Sequence, residues 1–176
     1  RMTPAWRFVA RRRLLARAAL ACLAAGAGAH DAARASSPDD TMLGGPSSYV
    51  PEARLASKRG EPLLLFFSLE GCVYCEALRA EQLRHVHARR ETLGVRLVEM
   101  RIDDDRPIPG LEPARSPRQV AAAMKVRIAP TLLFLHGERE VAERLVGYSN
   151  QDFYGAYLDE RIATARAASA ARGPSR

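Results

Sequence analysis

Pro62-Leu63-Leu64-Leu65-Phe66-Phe67-Ser68-Leu69-Glu70-Gly71-Cys72-Val73-Tyr74-Cys75 sets two cysteines directly behind a short apolar run. The run, residues 62–68, has the length of a strand and almost no polar break. That pattern predicts a strand buried on both faces, as in a sheet covered by helices on either side. From Glu76 to about Arg90 the pattern changes to a helix with Leu78, Leu83 and Val86 on one broad face. The cysteines therefore fall where a strand hands over to a helix. Cys72, nearest the helix N-terminus, faces unpaired backbone N–H groups and the positive end of the macrodipole. Both favour its thiolate, the nucleophile of disulfide exchange. A bare C-x-x-C also supplies half of many zinc sites, so the pair alone leaves redox and metal chemistry open.

About 55 residues further on, Val126-Arg127-Ile128-Ala129-Pro130-Thr131-Leu132-Leu133-Phe134-Leu135-His136-Gly137 leads a proline straight into another apolar strand. Together with C-x-x-C at a strand–helix junction, this resembles the thioredoxin family. Arg144-Leu145-Val146-Gly147 resembles that family's last strand and closing glycine, and an amphipathic terminal helix follows. The resemblance spans roughly residues 48–165. It implies an α/β thioredoxin fold, a mixed central sheet with helices on both faces. It also implies that Pro130 is a cis-proline packed beside a Cys72–Cys75 disulfide, with Ala129 preceding it.

Charge and cysteine usage point the same way. The formal charge of +7 is concentrated in residues 1–35, which hold seven arginines and one aspartate. The other 141 residues carry 20 basic and 19 acidic side chains, so no nucleic-acid surface is read from the balance. Residues 1–35 read as an export signal. Arg7, Arg11, Arg12 and Arg13 form a positive n-region, and Ala18 to Ala29 a small apolar h-region. Ala27-Gly28-Ala29 and Ala33-Arg34-Ala35 are small-x-small cleavage sites. The alternatives are an uncleaved membrane anchor or, from the arginine cluster, a twin-arginine signal. Cys22 stands in a poor lipoprotein box and is expected to leave with the signal. The mature domain then keeps only Cys72 and Cys75. A bridge across two residues constrains the unfolded chain little, which favours a catalytic pair over a structural staple.

The domain plan is an export signal at 1–35, a polar tether at 36–47, a thioredoxin-like domain at 48–168 and a disordered tail at 169–176. Within the domain, a helix is expected from about Ser48 to Arg59, with Pro51 in its first turn. A strand follows over 95–102, ended by Asp103. A loop from Asp104 to Pro117 carries four prolines. A short capped helix runs from Ser116 to Met124. Strands at about 131–136 and 140–146 join through Gly137-Glu138-Arg139. The last helix opens with Ser149-Asn150-Gln151-Asp152 and places Phe153, Tyr154, Tyr157, Leu158, Ile162 and Ala165 on its core face.

The resemblance assigns Cys72 as nucleophile and Cys75 as resolving thiol. It places a substrate peptide against the backbone of Ala129 beside Pro130. Tyr74 is a candidate to stack near the active site or contact substrate, the alternative being an exposed aromatic without a role. Tyr74 before the second cysteine is similar to bacterial disulfide isomerases and periplasmic thioredoxins linked to sulfur oxidation. Two positions depart from the family pattern. Phe66 stands where thioredoxins place a buried acid, and Glu99 stands where they place a lysine that pairs with it. Glu99 is therefore a candidate proton acceptor for Cys75, the alternative being a solvated strand-end carboxylate. Gly71 replaces the tryptophan before the first cysteine. His85 and His87 read as surface residues. Without a second C-x-x-C or an H-x-x-x-H, a closed zinc site is not expected.

The expected function is that of a periplasmic thiol–disulfide oxidoreductase, working as a reductase with no bound cofactor and as a monomer. Its partners would be cysteine-containing exported proteins downstream and a membrane thiol-transfer protein as donor. The other reading is a binding module that carries a soft metal ion such as Cu(I) on two thiolates, or chaperones a partner.

Overall fold

The computed structural model describes residues 43–113, 115–149 and 151–174. The export signal, Cys22, most of the tether, Asn150 of the last helix's expected cap and residues 175–176 lie outside the described residues.

Four strands form one mixed sheet in the order β2-β1-β3-β4. They are β1 (Leu63–Ser68), β2 (Arg96–Arg101), β3 (Thr131–His136) and β4 (Arg139–Val146). β1 runs parallel to β2 and antiparallel to β3, and β3 is antiparallel to β4. Alternation along β1 explains why its sequence has no polar break. Leu64 and Phe66 point into one core, with Leu97, Leu132 and Phe134. Leu63, Leu65 and Phe67 point into another, with Val98, Met100, Leu133 and Leu135. A strand covered on both faces must be apolar at every position.

The second of these cores is closed by α1 (Tyr49–Arg59), through Ala56, and by α5 (Pro117–Ala123), through Val120 and Ala121. α5 begins with a capping box in which Ser116 Oγ accepts from the Gln119 N–H and Gln119 Oε1 accepts from the Ser116 N–H. The first core is closed by the cysteine helix and by the last helix, α6 (Gln151–Arg172). The fold is thus the thioredoxin arrangement, a mixed sheet with helices on both faces. At the sheet end away from the cysteines, the buried Arg96 side chain is clasped by Glu61 and Glu91 at 2.7–2.8 Å.

Four local expectations need correction. The cysteine helix is not one α-helix from Glu76. It starts at Val73 as α2 (Val73–Leu78), widens into a π turn (Arg79–Leu83), and continues as α3 (Arg84–Ala88) and α4 (Arg90–Leu93). Leu78 and Leu83 are five apart, and only an i→i+5 turn keeps both on the core face, where both are fully buried. The tether ends sooner than residue 47. Leu43 is fully buried in the first core, the Gly44 carbonyl accepts the Glu99 N–H at 3.0 Å, and Pro46–Ser48 forms a 3-10 turn. The tail is likewise shorter, because α6 runs to Arg172 with Ser169 buried. Alanine dominates this segment, and its high helix propensity carries the helix on. Finally, Phe153 and Tyr157 are exposed, while Tyr154, Leu158, Ile162, Ala165 and Ser169 make the buried stripe of α6. That stripe steps by three and four, as one face of a helix must.

Candidate active site

The C-terminal end of β1 and the N-terminal end of β3 meet where Phe67 pairs with Thr131. The register therefore brings the loop after Ser68, which carries the cysteines, to the same end of the sheet as Ala129 and Pro130. Cys72 and Ala129 both pack against the first core.

Gly71 turns the chain into the helix with φ +65°, a left-handed conformation that side-chain-bearing residues adopt at a cost. That accounts for glycine where the family pattern has tryptophan. Cys72 is the N-cap of α2, and its Sγ accepts the Cys75 N–H at 3.1 Å. The sulfur thus takes the place usually held by a capping oxygen, against the first N–H groups of the helix. Cys72 and Cys75 form a disulfide with Cα atoms 5.2 Å apart. The two differ in access: Cys72 is half-buried and Cys75 fully buried. One sulfur can be reached by another molecule while the other waits behind it.

Around Cys72 the rim is apolar. Val73, Tyr74 and Ile128 are more than half exposed, and Leu69 is partly so. Ala129 is half-buried and Pro130 buried, and the peptide bond between them is cis. The Pro130 carbonyl accepts the Gly147 N–H at 2.8 Å. On the approach to Gly71, Glu70 is exposed and held by Arg101 at 2.6 Å. Arg101 also binds Asp103, which draws that carboxyl below the usual range.

Beneath the helix, Glu99 lies opposite Phe66 in the β1–β2 register. It is 7% exposed, which removes the solvated alternative. Both its oxygens are taken by Arg79, Nη2 at 2.6 Å and Nε at 2.9 Å. Arg79 sits one helical turn after Cys75 and projects from the same side of the helix. Sequence reading missed Arg79, although its i+4 spacing from a buried cysteine marks it as inward-facing. Ser68 was missed too, and its buried hydroxyl has no hydrogen-bond partner among the described residues. Ser68, Gly71, Arg79 and Glu99 line a cavity of about 170 Å³ beside the cysteine loop.

His85 is exposed and His87 half-buried, with burial and Arg90 lowering the latter's pKa. Among the described residues, no group of three or more His, Cys, Asp or Glu is placed to hold a metal ion.

Residues 51–162 match the family model described as a thioredoxin-like domain. The chain belongs to the thioredoxin-like domain family. Its cysteine pair is that of a thiol–disulfide oxidoreductase. Three solved structures illustrate the likeness. The periplasmic thioredoxin SoxS from Paracoccus pantotrophus (reduced form) is 29% identical, with a TM-score of 0.42, over 60% of this chain and 99% of that one. Fasciola hepatica thioredoxin is 18% identical, with a TM-score of 0.46, over 68% and 95%. Thioredoxin O2 from Arabidopsis thaliana is 16% identical, with a TM-score of 0.43, over 66% and 90%. No curated protein sequence matches the chain.

Proposed function

We propose that this thioredoxin-like protein is an exported disulfide reductase of other exported proteins. The observation that carries the reading is the asymmetry of the pair: Cys72 accessible at the helix cap, Cys75 buried one turn deeper. In the reduced protein the Cys72 thiolate attacks a substrate disulfide. A Cys72–substrate bond forms, and the first substrate thiolate leaves. Cys75, once deprotonated, attacks Cys72 Sγ. The mixed disulfide breaks, the second substrate thiolate leaves, and the Cys72–Cys75 disulfide forms. Two electrons have passed to the substrate.

Glu99 takes the Cys75 proton in this scheme, with Arg79 orienting the carboxylate. Its burial on the helix side of the sheet supports that role. The substrate lies along the backbone of Ala129 beside Pro130, and its apolar neighbours rest on Tyr74. The apolar rim supports that placement. The arginine-rich start and alanine-rich run of residues 1–35 support export to the periplasm. There a reductase needs a membrane thiol-transfer protein to restore its dithiol. The substrates are cysteine-containing exported proteins, and the protein acts as a monomer.

The reduction potential of Cys72/Cys75, read by thiol alkylation in graded redox buffers, tests the direction of electron flow. A value near about −270 mV is expected of a reductase, whereas one near −120 mV would make the protein an oxidant. A pair that fails to cycle but binds Cu(I) stoichiometrically would leave the binding module. The acceptor role is tested separately. Glu99→Gln slows the release step below pH 8 if Glu99 takes the proton, and unchanged rates across pH 6–9 would remove it.

A further inference from the structure

The two walls of the site come from distant parts of the chain. One is the cysteine helix, and the other is the Ala129–Pro130 segment with Gly147 bonded to it. Tyr148, the residue after Gly147, reaches from the second wall to the first. Its ring is 2% exposed and packs edge-on against Tyr154, with centroids 4.8 Å apart. Its hydroxyl donates to Glu81 Oε2 at 2.7 Å. The next residue, Gln82, has its Oε1 so near α6 that a Cβ on Gly155 would meet it at 3.3 Å.

Glu81 and Gln82 are both in the π turn. An undistorted helix continuing from Cys75 and Leu78 would place Gln82, not Leu83, on the core face. The extra residue of the π turn brings Leu83 inward instead. It leaves Glu81 within reach of the Tyr148 hydroxyl and Gln82 against Gly155. The helix distortion and the long-range hydrogen bond are therefore parts of one arrangement.

We propose that the Tyr148–Glu81 hydrogen bond is a strut that sets the width of the cleft between Cys72 and the Ala129–Pro130 backbone. Tyr148 touches neither sulfur in this scheme and is a positioning residue. The inference rests on the disulfide-exchange reading above. A strut of this kind governs how well an extended peptide fits between the walls, and leaves the sulfur chemistry alone. Its loss is felt in peptide binding and not in the potential of the pair.

Three variants of the whole protein test this. Tyr148→Phe keeps the ring and removes the hydroxyl. Glu81→Ala removes the acceptor, and Glu81→Gln keeps an acceptor oxygen. Amide hydrogen exchange reads the walls directly. Tyr148→Phe and Glu81→Ala are expected to speed exchange about tenfold, both in residues 73–83 and at Gly147 and Tyr148, as loss of a charge-assisted hydrogen bond would. With a synthetic peptide disulfide, KM is expected to rise about threefold to tenfold in the same two variants, with kcat and reduction potential unchanged. Glu81→Gln should stay within about twofold of wild type. An unchanged KM, a potential that moves with it, or faster exchange in one wall only would overturn the strut. If the wild-type protein does not turn over the peptide, the exchange reading itself falls. Amide exchange then decides the strut alone, joint loosening of both walls supporting it.

Discussion

Replacing Arg79 with methionine isolates the cost of the buried ion pair beneath the cysteines. The Arg79 and Glu99 side chains are 8% and 9% exposed, and two short hydrogen bonds join them. Methionine keeps the length and apolar stem of arginine but strands a carboxylate under the helix. Breaking a buried pair from one side costs about 3–5 kcal/mol. With a urea slope of about 2 kcal/mol per molar, the unfolding midpoint of the oxidised protein should fall by about 2 M at pH 7. The double variant Arg79→Met/Glu99→Leu removes both charges and should return to within about 1 kcal/mol of wild type. Urea titrations of the three proteins at pH 7.5 are sufficient. A single variant less than about 1 kcal/mol below wild type at pH 7.5 would refute the reasoning, since that is the range of a solvated surface pair.

Other perturbations read other parts of the site and its scaffold. Glu91 is bound by Arg96 and Arg59, and those hydrogen bonds hold its carboxyl at about 2, below the ordinary 4.5. A depressed carboxylate stabilises the fold above its unfolded pKa, and that stabilisation is lost as pH falls through the folded value. Glu91→Gln should therefore flatten the fall of Tm between pH 4.5 and 2; parallel curves for variant and wild type would exclude the clasp as a source of acid sensitivity. Gly71→Ala meets no atom within 4 Å, so its cost is that of the backbone conformation alone, about 1–2 kcal/mol by denaturant unfolding. Phe66→Asp places a second carboxylate opposite Glu99 and should destabilise more than Phe66→Ala, itself about 3–5 kcal/mol. Equal losses in the two variants would show that Glu99 does not feel position 66.

The strands and the cysteine pair were legible because each announces itself locally. An apolar run with no polar break has one good environment, and β1 occupies it, with alternate residues in two cores. The π turn was legible in part. Leu78, Leu83 and Val86 were read as one helix face, yet the step of five residues is not an α-helical step. Arg79 was visible as a neighbour of Cys75 on the helix but went unread, because arginine is ordinarily a surface residue. Tyr148 and Glu81 carry no local signal at all, since 67 residues separate them and only the tertiary fold brings them together. Phe153 and Tyr157 failed the other way. Their apolar character suggested the core face, but α6 has room for one stripe and Tyr154 and Leu158 fill it.

The ion pair explains how two departures from the family pattern fit together. The thioredoxin resemblance implies an acid on the strand before the cysteines and a lysine on its parallel neighbour. Here the first position is Phe66 and the second Glu99, adjacent in the β1–β2 register. Neither change is neutral alone. Removing the acid would strand the lysine between the sheet and the helix, and adding Glu99 would strand a carboxylate there. The cation has to come from a third element within reach, and the helix supplies it one turn after Cys75. Arg79 suits the place because a planar guanidinium binds both carboxylate oxygens at once, which a single ammonium does less well. The site therefore keeps a buried, paired acid beneath the cysteine helix, while the acid stands on the neighbour of the central strand and the base on the cysteine helix itself. That placement ties the charge of the pair to the position of the helix. A displacement of the helix that shifts Cys75 also shifts Arg79, and Glu99 loses its partner as Cys75 loses its place.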